Sequence, residues 1–76
     1  VNEFKILACE LRREILLALR EPKSKSELYK MFRPKAFYTI VRYHLRVLLS
    51  HGYIEETDGV FSLTEKGKQL LEKWLE

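Results

Sequence analysis

The sequence predicts a mainly α domain with one small β-hairpin, in the order helix, helix, turn, helix, hairpin, helix. Three observations carry that expectation. Apolar residues recur at spacings of three and four along four segments, the period of a helix with one buried face. Asp58-Gly59 stands between two short β-rich stretches, a strong short-range signal for a hairpin. The 76 residues amount to one domain, 1–76, at roughly 100–200 residues per domain. A chain this short buries only about 60% of its unfolded surface, so a single core must absorb most of its apolar residues.

The first helix is expected over 3–20. Phe4, Leu7, Ala8, Leu11, Ile15, Ala18 and Leu19 share one face of it. Asn2 is placed to cap its start, and Pro22 ends it. Ser24-Lys25-Ser26-Glu27 fits a capping box. In that motif the Ser24 hydroxyl accepts from the Glu27 N–H, and the Glu27 carboxylate accepts from the Ser24 N–H. The second helix, 25–32, buries Leu28, Met31 and Phe32 and turns Lys25, Tyr29 and Lys30 outward. Arg33-Pro34 interrupts it. Proline suits the first turn of a following helix, where its missing N–H has no partner to lose. The third helix is therefore expected over about 35–51, with Gly52 closing it. At about 100° per residue, Phe37, Val41, His44, Leu45 and Leu48 face inward. Lys35, Thr39, Arg42, Tyr43, Arg46 and Ser50 face outward.

Strands are expected at 53–57 and 60–63, because Asp-Gly supplies the two positive φ angles of a type I′ turn. A lone hairpin is marginal in water, so Ile54, Val60 or Phe61 must lean on the helices. The last helix starts after Thr64, a candidate N-cap, with Leu70, Leu71 and Trp74 as its apolar stripe. Gly67 in its first turn gives up about 1 kcal/mol of helix propensity against alanine.

The net charge of +3 is unevenly spread. Residues 1–19 are neutral overall, 20–51 carry eight bases and two acids, and 52–76 carry three bases and six acids. The middle is therefore +6 and the last third −3. Such polarity points to an anionic partner on the middle of the chain. Two helices joined by a turn, the second with an outer face free of carboxylates, are the elements of a helix-turn-helix. The major groove of B-DNA is about 12 Å wide and admits a helix. Thr39, Arg42, Tyr43 and Arg46 are the candidate base-contacting residues, since arginine pairs with guanine O6 and N7 and threonine offers a methyl to thymine. Lys23, Lys25, Lys30, Arg33, Lys35, Tyr38 and Ser50 are the candidate phosphate contacts, which add affinity without sequence preference.

Several stretches resemble the ArsR-like winged helix-turn-helix regulators. Leu11-Arg12-Arg13-Glu14-Ile15-Leu16-Leu17-Ala18-Leu19 is similar to their first-helix signature, and Ser26-Glu27-Leu28 to their second-helix opening. Thr39-Ile40-Val41-Arg42-Tyr43-His44-Leu45-Arg46-Val47-Leu48 resembles their recognition helix. Gly52-Tyr53-Ile54, followed by Phe61-Ser62-Leu63-Thr64-Glu65-Lys66-Gly67, resembles their wing and closing helix. The chain also looks like the small regulators of archaea, their plasmids and viruses. The resemblance implies sequence-specific binding of double-stranded DNA, commonly by a homodimer and often in repression of transcription. Three features depart from the pattern. Glu27 to His44 is two residues longer than in compact members. The wing tip carries Glu55, Glu56 and Asp58 where family wings bring bases. The paired cysteines of the family's metal sensors are missing, with only Cys9, His44 and His51 present.

Other chemistry is expected to be absent. There is no phosphate loop, HExxH, CxxC or dinucleotide glycine turn. Glu55, Glu56 and Asp58 sit on an expected exposed hairpin, without the shelter that tunes a catalytic carboxylate. The sequence thus predicts no enzyme, no cofactor and no metal. His44 reads as a satisfied core histidine, His51 as a helix C-terminal cap, and Cys9 as inert. A single cysteine, with no signal peptide and no apolar run of about 18 residues, fits the cytoplasm, at the nucleoid of a prokaryote or archaeon. Ile6, Cys9 and Leu17 lie opposite the first helix's main stripe. Ile6 and Leu17, with Trp74 and Leu75, are the candidate homodimer seam. The alternative is a winged-helix module that binds protein through the first helix and the acidic hairpin. RNA, stacked on Tyr38 and Tyr43, is the third reading.

Overall fold

A computed structural model of the chain describes residues 3–75. The elements run α1 Glu3–Leu7, α2 Glu10–Ala18, β1 Lys23–Ser24, α3 Lys25–Phe32, α4 Tyr38–Ser50, β2 Ile54–Thr57, β3 Val60–Leu63 and α5 Glu65–Leu75. The helices pack around one core of Ile6, Ile15, Leu16, Leu19, Leu28, Phe32, Val41, Leu45, Leu48, Tyr53, Ile54, Phe61, Leu63, Leu70 and Leu71. The mainly helical architecture is the one the sequence predicts. The asserted hairpin is part of a three-stranded antiparallel sheet in the order β1-β3-β2.

The expected first helix is two helices. Cys9 is extended, with φ −92° and ψ 118°, and the chain breaks at Ala8–Cys9. The break opens carbonyls at the end of α1, and arginines fill them. Arg13 Nη1 donates to Leu7 O at 2.5 Å, and Arg12 Nη1 to Lys5 O at 3.5 Å, as basic side chains near a helix C-terminus do. The break also resets the helical phase. Ile6 and Leu16 turn inward and are fully buried, while Ala8 is exposed. Asn2 and the side chain of Phe4 lie outside the described residues.

The capping box forms as the sequence predicts. Glu27 N–H donates to Ser24 Oγ at 3.2 Å, and Ser24 N–H donates to Glu27 Oε1 at 2.9 Å. The Ser24 N–H bond holds the Glu27 carboxyl below its usual range. Ser24→Ala should lower stability by about 1 kcal/mol, the usual cost of losing an N-cap, read as a fall in the denaturant midpoint at unchanged slope. Within α3, Leu28 and Phe32 are buried. Met31 is not, at 48% exposure, because it falls off the short stripe that meets the core.

The third helix begins later than expected. Phe32 O accepts from both Lys35 N and Ala36 N at 2.9 Å, so residues 33–36 wrap back onto α3. Helix α4 starts at Tyr38 rather than near 35, and Pro34 lies in the turn instead of in a first helical turn. Phe37, expected in the core, becomes the N-cap and is exposed. The rest of the inner face, Val41, His44, Leu45 and Leu48, is buried as predicted.

Helix α4 ends in a Schellman turn. Tyr53 N–H donates to Leu48 O at 3.0 Å, Gly52 N–H to Leu49 O at 3.1 Å, and Gly52 has φ +77°. Asp58 and Gly59 take φ 51° and 79°, the type I′ pair that the hairpin needs. On β3, Phe61 and Leu63 are buried and Val60 is exposed. Thr64 caps α5, accepting from Gly67 N–H at 3.1 Å while its hydroxyl donates to Gly52 O at 2.6 Å. The buried stripe of α5 is Gly67, Leu70 and Leu71. Trp74, expected in that stripe, is 44% exposed and lies with the Arg13 guanidinium 5.4 Å from its ring centre.

Candidate nucleic-acid interface

Helix α4 faces the core with an apolar stripe, so the same 13 residues must project polar side chains on the opposite side. Thr39, Arg42, Tyr43 and Arg46 are all exposed, and together they line a shallow depression of about 250 Å³. No carboxylate occurs between Glu27 and Glu55, so nothing on α4 neutralises its arginines from within. The structure therefore gathers all four sequence-predicted base-contacting residues on one face.

The phosphate candidates lie on several elements. Lys25 and Lys30 are exposed on α3, and Arg33 is exposed at its C-cap. Lys23 lies in β1, opposite Phe61 of β3, and so places a base at the edge of an otherwise acidic hairpin. Tyr38 opens α4 at 60% exposure. Its ring meets that of Tyr29 edge-on, with centroids 5.9 Å apart, which ties the start of α4 to α3. Ser50 is exposed, and its hydroxyl donates to Val47 O at 2.9 Å. Lys35 is differently placed from the expectation. It sits in the turn, off α4, and its ammonium pairs with Glu14 on α2. The Glu14 hydrogen bond keeps that ammonium charged to a higher pH than usual.

The dimer candidates divide. Ile6 is fully buried in the core of the single chain and has no surface to offer a second copy, because the break at Ala8–Cys9 rotates it inward. Leu17 is partly buried against the core. Trp74 and Leu75 are exposed at 44% and 46%.

Sequence reasoning missed the contacts that hold α4 from behind. Arg12 Nε donates to His44 Nδ1 at 3.1 Å. The neutral ring then carries its proton on Nε2, which points at Cys9 Sγ 3.8 Å away. The Tyr43 ring packs edge-on against His44 at 5.2 Å. The outward Tyr43 is thus braced by an inward histidine that α2 fixes in place. Cys9 and Arg12 at the start of α2 meet Tyr43 and His44 of α4 across more than 30 residues of chain, and no local pattern announces it. Burial, and then the Arg12 charge, push the His44 pKa below its ordinary value of 6.5.

The sign of the pH effect follows. The folded state refuses a proton that the unfolded chain accepts, so stability is complete above about pH 6.5 and declines as pH falls through that value toward the depressed one. Melting temperature should drop between pH 7.5 and 5.5, where most carboxylates stay ionised. His44→Gln should flatten that drop.

Among the described residues, no group of three or more His, Cys, Asp or Glu could hold a metal ion, and no helix is long and apolar enough to cross a membrane. A sequence model of the winged helix-turn-helix family matches residues 8–76. No curated protein and no solved structure matches the chain.

Proposed function

The chain belongs to the winged helix-turn-helix family, and from that premise we propose that it binds specific double-stranded DNA sequences and represses transcription. The observation that carries this reading is the exposed, acid-free face of α4, with Thr39, Arg42, Tyr43 and Arg46 on one side of a helix braced from behind. Helix α4 enters the major groove, and α3 with the 33–36 turn lies across the backbone. Lys23, Lys25, Lys30 and Arg33 approach phosphates. The ArsR-like motif order supports the narrower assignment within the family. The role is binding, with no catalytic step.

The acidic tip of the β2–β3 wing, Glu55, Glu56 and Asp58, is exposed and is repelled by phosphate. It therefore points away from the DNA, and Lys23 in β1 brings the sheet a cation. Exposed Trp74 and Leu75, with partly buried Leu17, form the seam of a homodimer in this reading. A two-fold dimer would place its α4 helices in half-sites roughly 34 Å apart.

A second reading, a protein-binding module, is favoured by that acidic wing and by the exposed apolar side chains. Selection of bound sequences from a random duplex library separates the two. The DNA reading expects an enriched motif, palindromic if the protein is a dimer. Recovery of no motif favours the protein-binding module.

A further inference from the structure

Phe37 breaks two local rules at once. Its side chain is 79% exposed, more than any other large apolar residue among those described. It also occupies the N-cap of α4, with φ −67° and ψ 153°, and makes no side-chain cap bond, at a position that favours Ser, Thr, Asp or Asn. Its backbone is committed, since Phe37 O accepts from Ile40 N at 3.0 Å and from Val41 N at 3.2 Å. The ring therefore stands just ahead of the first turn of α4, largely in water. Local violations of this kind are expected where function overrides stability.

Its surroundings say what would cover it. In sequence Arg33 precedes it and Arg42 and Arg46 follow it, with no acid within nine residues on either side, while Lys35 is taken up by Glu14 of α2. An exposed apolar group at the head of a helix with a basic outer face suits a polyanion that also presents an apolar mark. The major groove of DNA has one, the C5-methyl of thymine, and phenylalanine is among the side chains that contact it. The N-terminal residues of a groove-bound helix are those that meet base edges, and Phe37 leads Tyr38 and Thr39 into that position.

We propose that Phe37 reads a C5-methylated pyrimidine, thymine or 5-methylcytosine, in the major groove of the bound site. The inference rests on the DNA reading above and adds a specificity-determining residue to it. It also gives the protein a preference for thymine over uracil that hydrogen bonding alone would not supply.

The test uses the whole chain and duplexes carrying the selected motif. Each thymine is replaced in turn by deoxyuridine, and each cytosine by 5-methylcytosine, and affinity is measured for the wild type and for Phe37→Ala. At one or two positions, loss of the methyl should weaken the wild type about fourfold, the scale of one buried methyl group, and change Phe37→Ala by less than about 1.5-fold. A wild type indifferent to every such exchange overturns the proposal without help from the variant. So does a Phe37→Ala protein that keeps the full methyl effect, which would assign it to another side chain. Binding of duplexes without methyl sensitivity removes this inference alone. Absence of any duplex binding removes the DNA reading, and this inference with it.

Discussion

Gly67→Ala is expected to lower the melting temperature by about 12–24 °C, or about 3 kcal/mol in a domain of this size. Two effects compete at this position. Alanine is the better helix former by about 1 kcal/mol, so an unconstrained site would gain stability. Here a Cβ would stand 2.0 Å from Tyr53 O, 3.0 Å from Tyr53 C and 3.3 Å from Leu63 Cδ2. The close neighbour is backbone, and it is pinned, because Tyr53 O accepts from Thr64 N at 3.1 Å. Thr64 is held in turn through its hydroxyl to Gly52 O. Lys66 reaches His51 O at 2.8 Å and lies 4.5 Å from the Tyr53 ring centre. The end of α4, the start of β2 and the first turn of α5 therefore close on one point, and only glycine fits there. Overlap with a fixed carbonyl outweighs the propensity gain. A thermal melt of the variant within about 5 °C of the wild type would show that this junction relaxes freely.

Arg42→Ala and Arg46→Ala are expected to act on binding and leave the fold alone. Both side chains are exposed, and neither forms an ion pair among the described residues. Surface changes of that kind usually shift stability by no more than about 0.5 kcal/mol. Each should cost about 1–3 kcal/mol of binding, roughly fivefold to more than a hundredfold in affinity, and relax preference at particular base pairs. Lys25→Ala and Lys30→Ala should behave differently. They should weaken all sequences alike and reduce the salt slope by about 1 each, as phosphate contacts do. Competition titrations with matched and mismatched duplexes distinguish the two patterns. An arginine variant that lost affinity uniformly across sequences would move that residue to the backbone.

The parts of this protein legible in sequence were those set by neighbours in the chain. Ser24 and Glu27 sit three apart and cap α3 themselves; Asp58-Gly59 makes its own turn; the stripe Val41, His44, Leu45, Leu48 announces a buried helix face. The outward face of α4 follows from that inward one, which is why the four candidate base-contacting residues come together as expected. What was not legible depends on contacts across the fold. The period of three and four continues across Ala8–Cys9, so the break there is invisible until arginines from α2 are seen on the carbonyls of α1. Strand β1 is two residues long and exists because β3 lies beside it. Phe37 fits the apolar pattern of α4 but falls one residue before the helix, because Phe32 O draws the 33–36 turn back. Gly67 reads as a propensity fault in sequence and as a packing requirement in space.

The central claim is that the basic α3–α4 surface docks on a duplex with its acidic wing held off. The most direct measurement is the affinity for a selected duplex across a range of salt concentrations. With about five phosphates neutralised by Lys23, Lys25, Lys30, Arg33 and an α4 arginine, log affinity should fall against log salt with a slope of about −4 to −5. A flat dependence would contradict it.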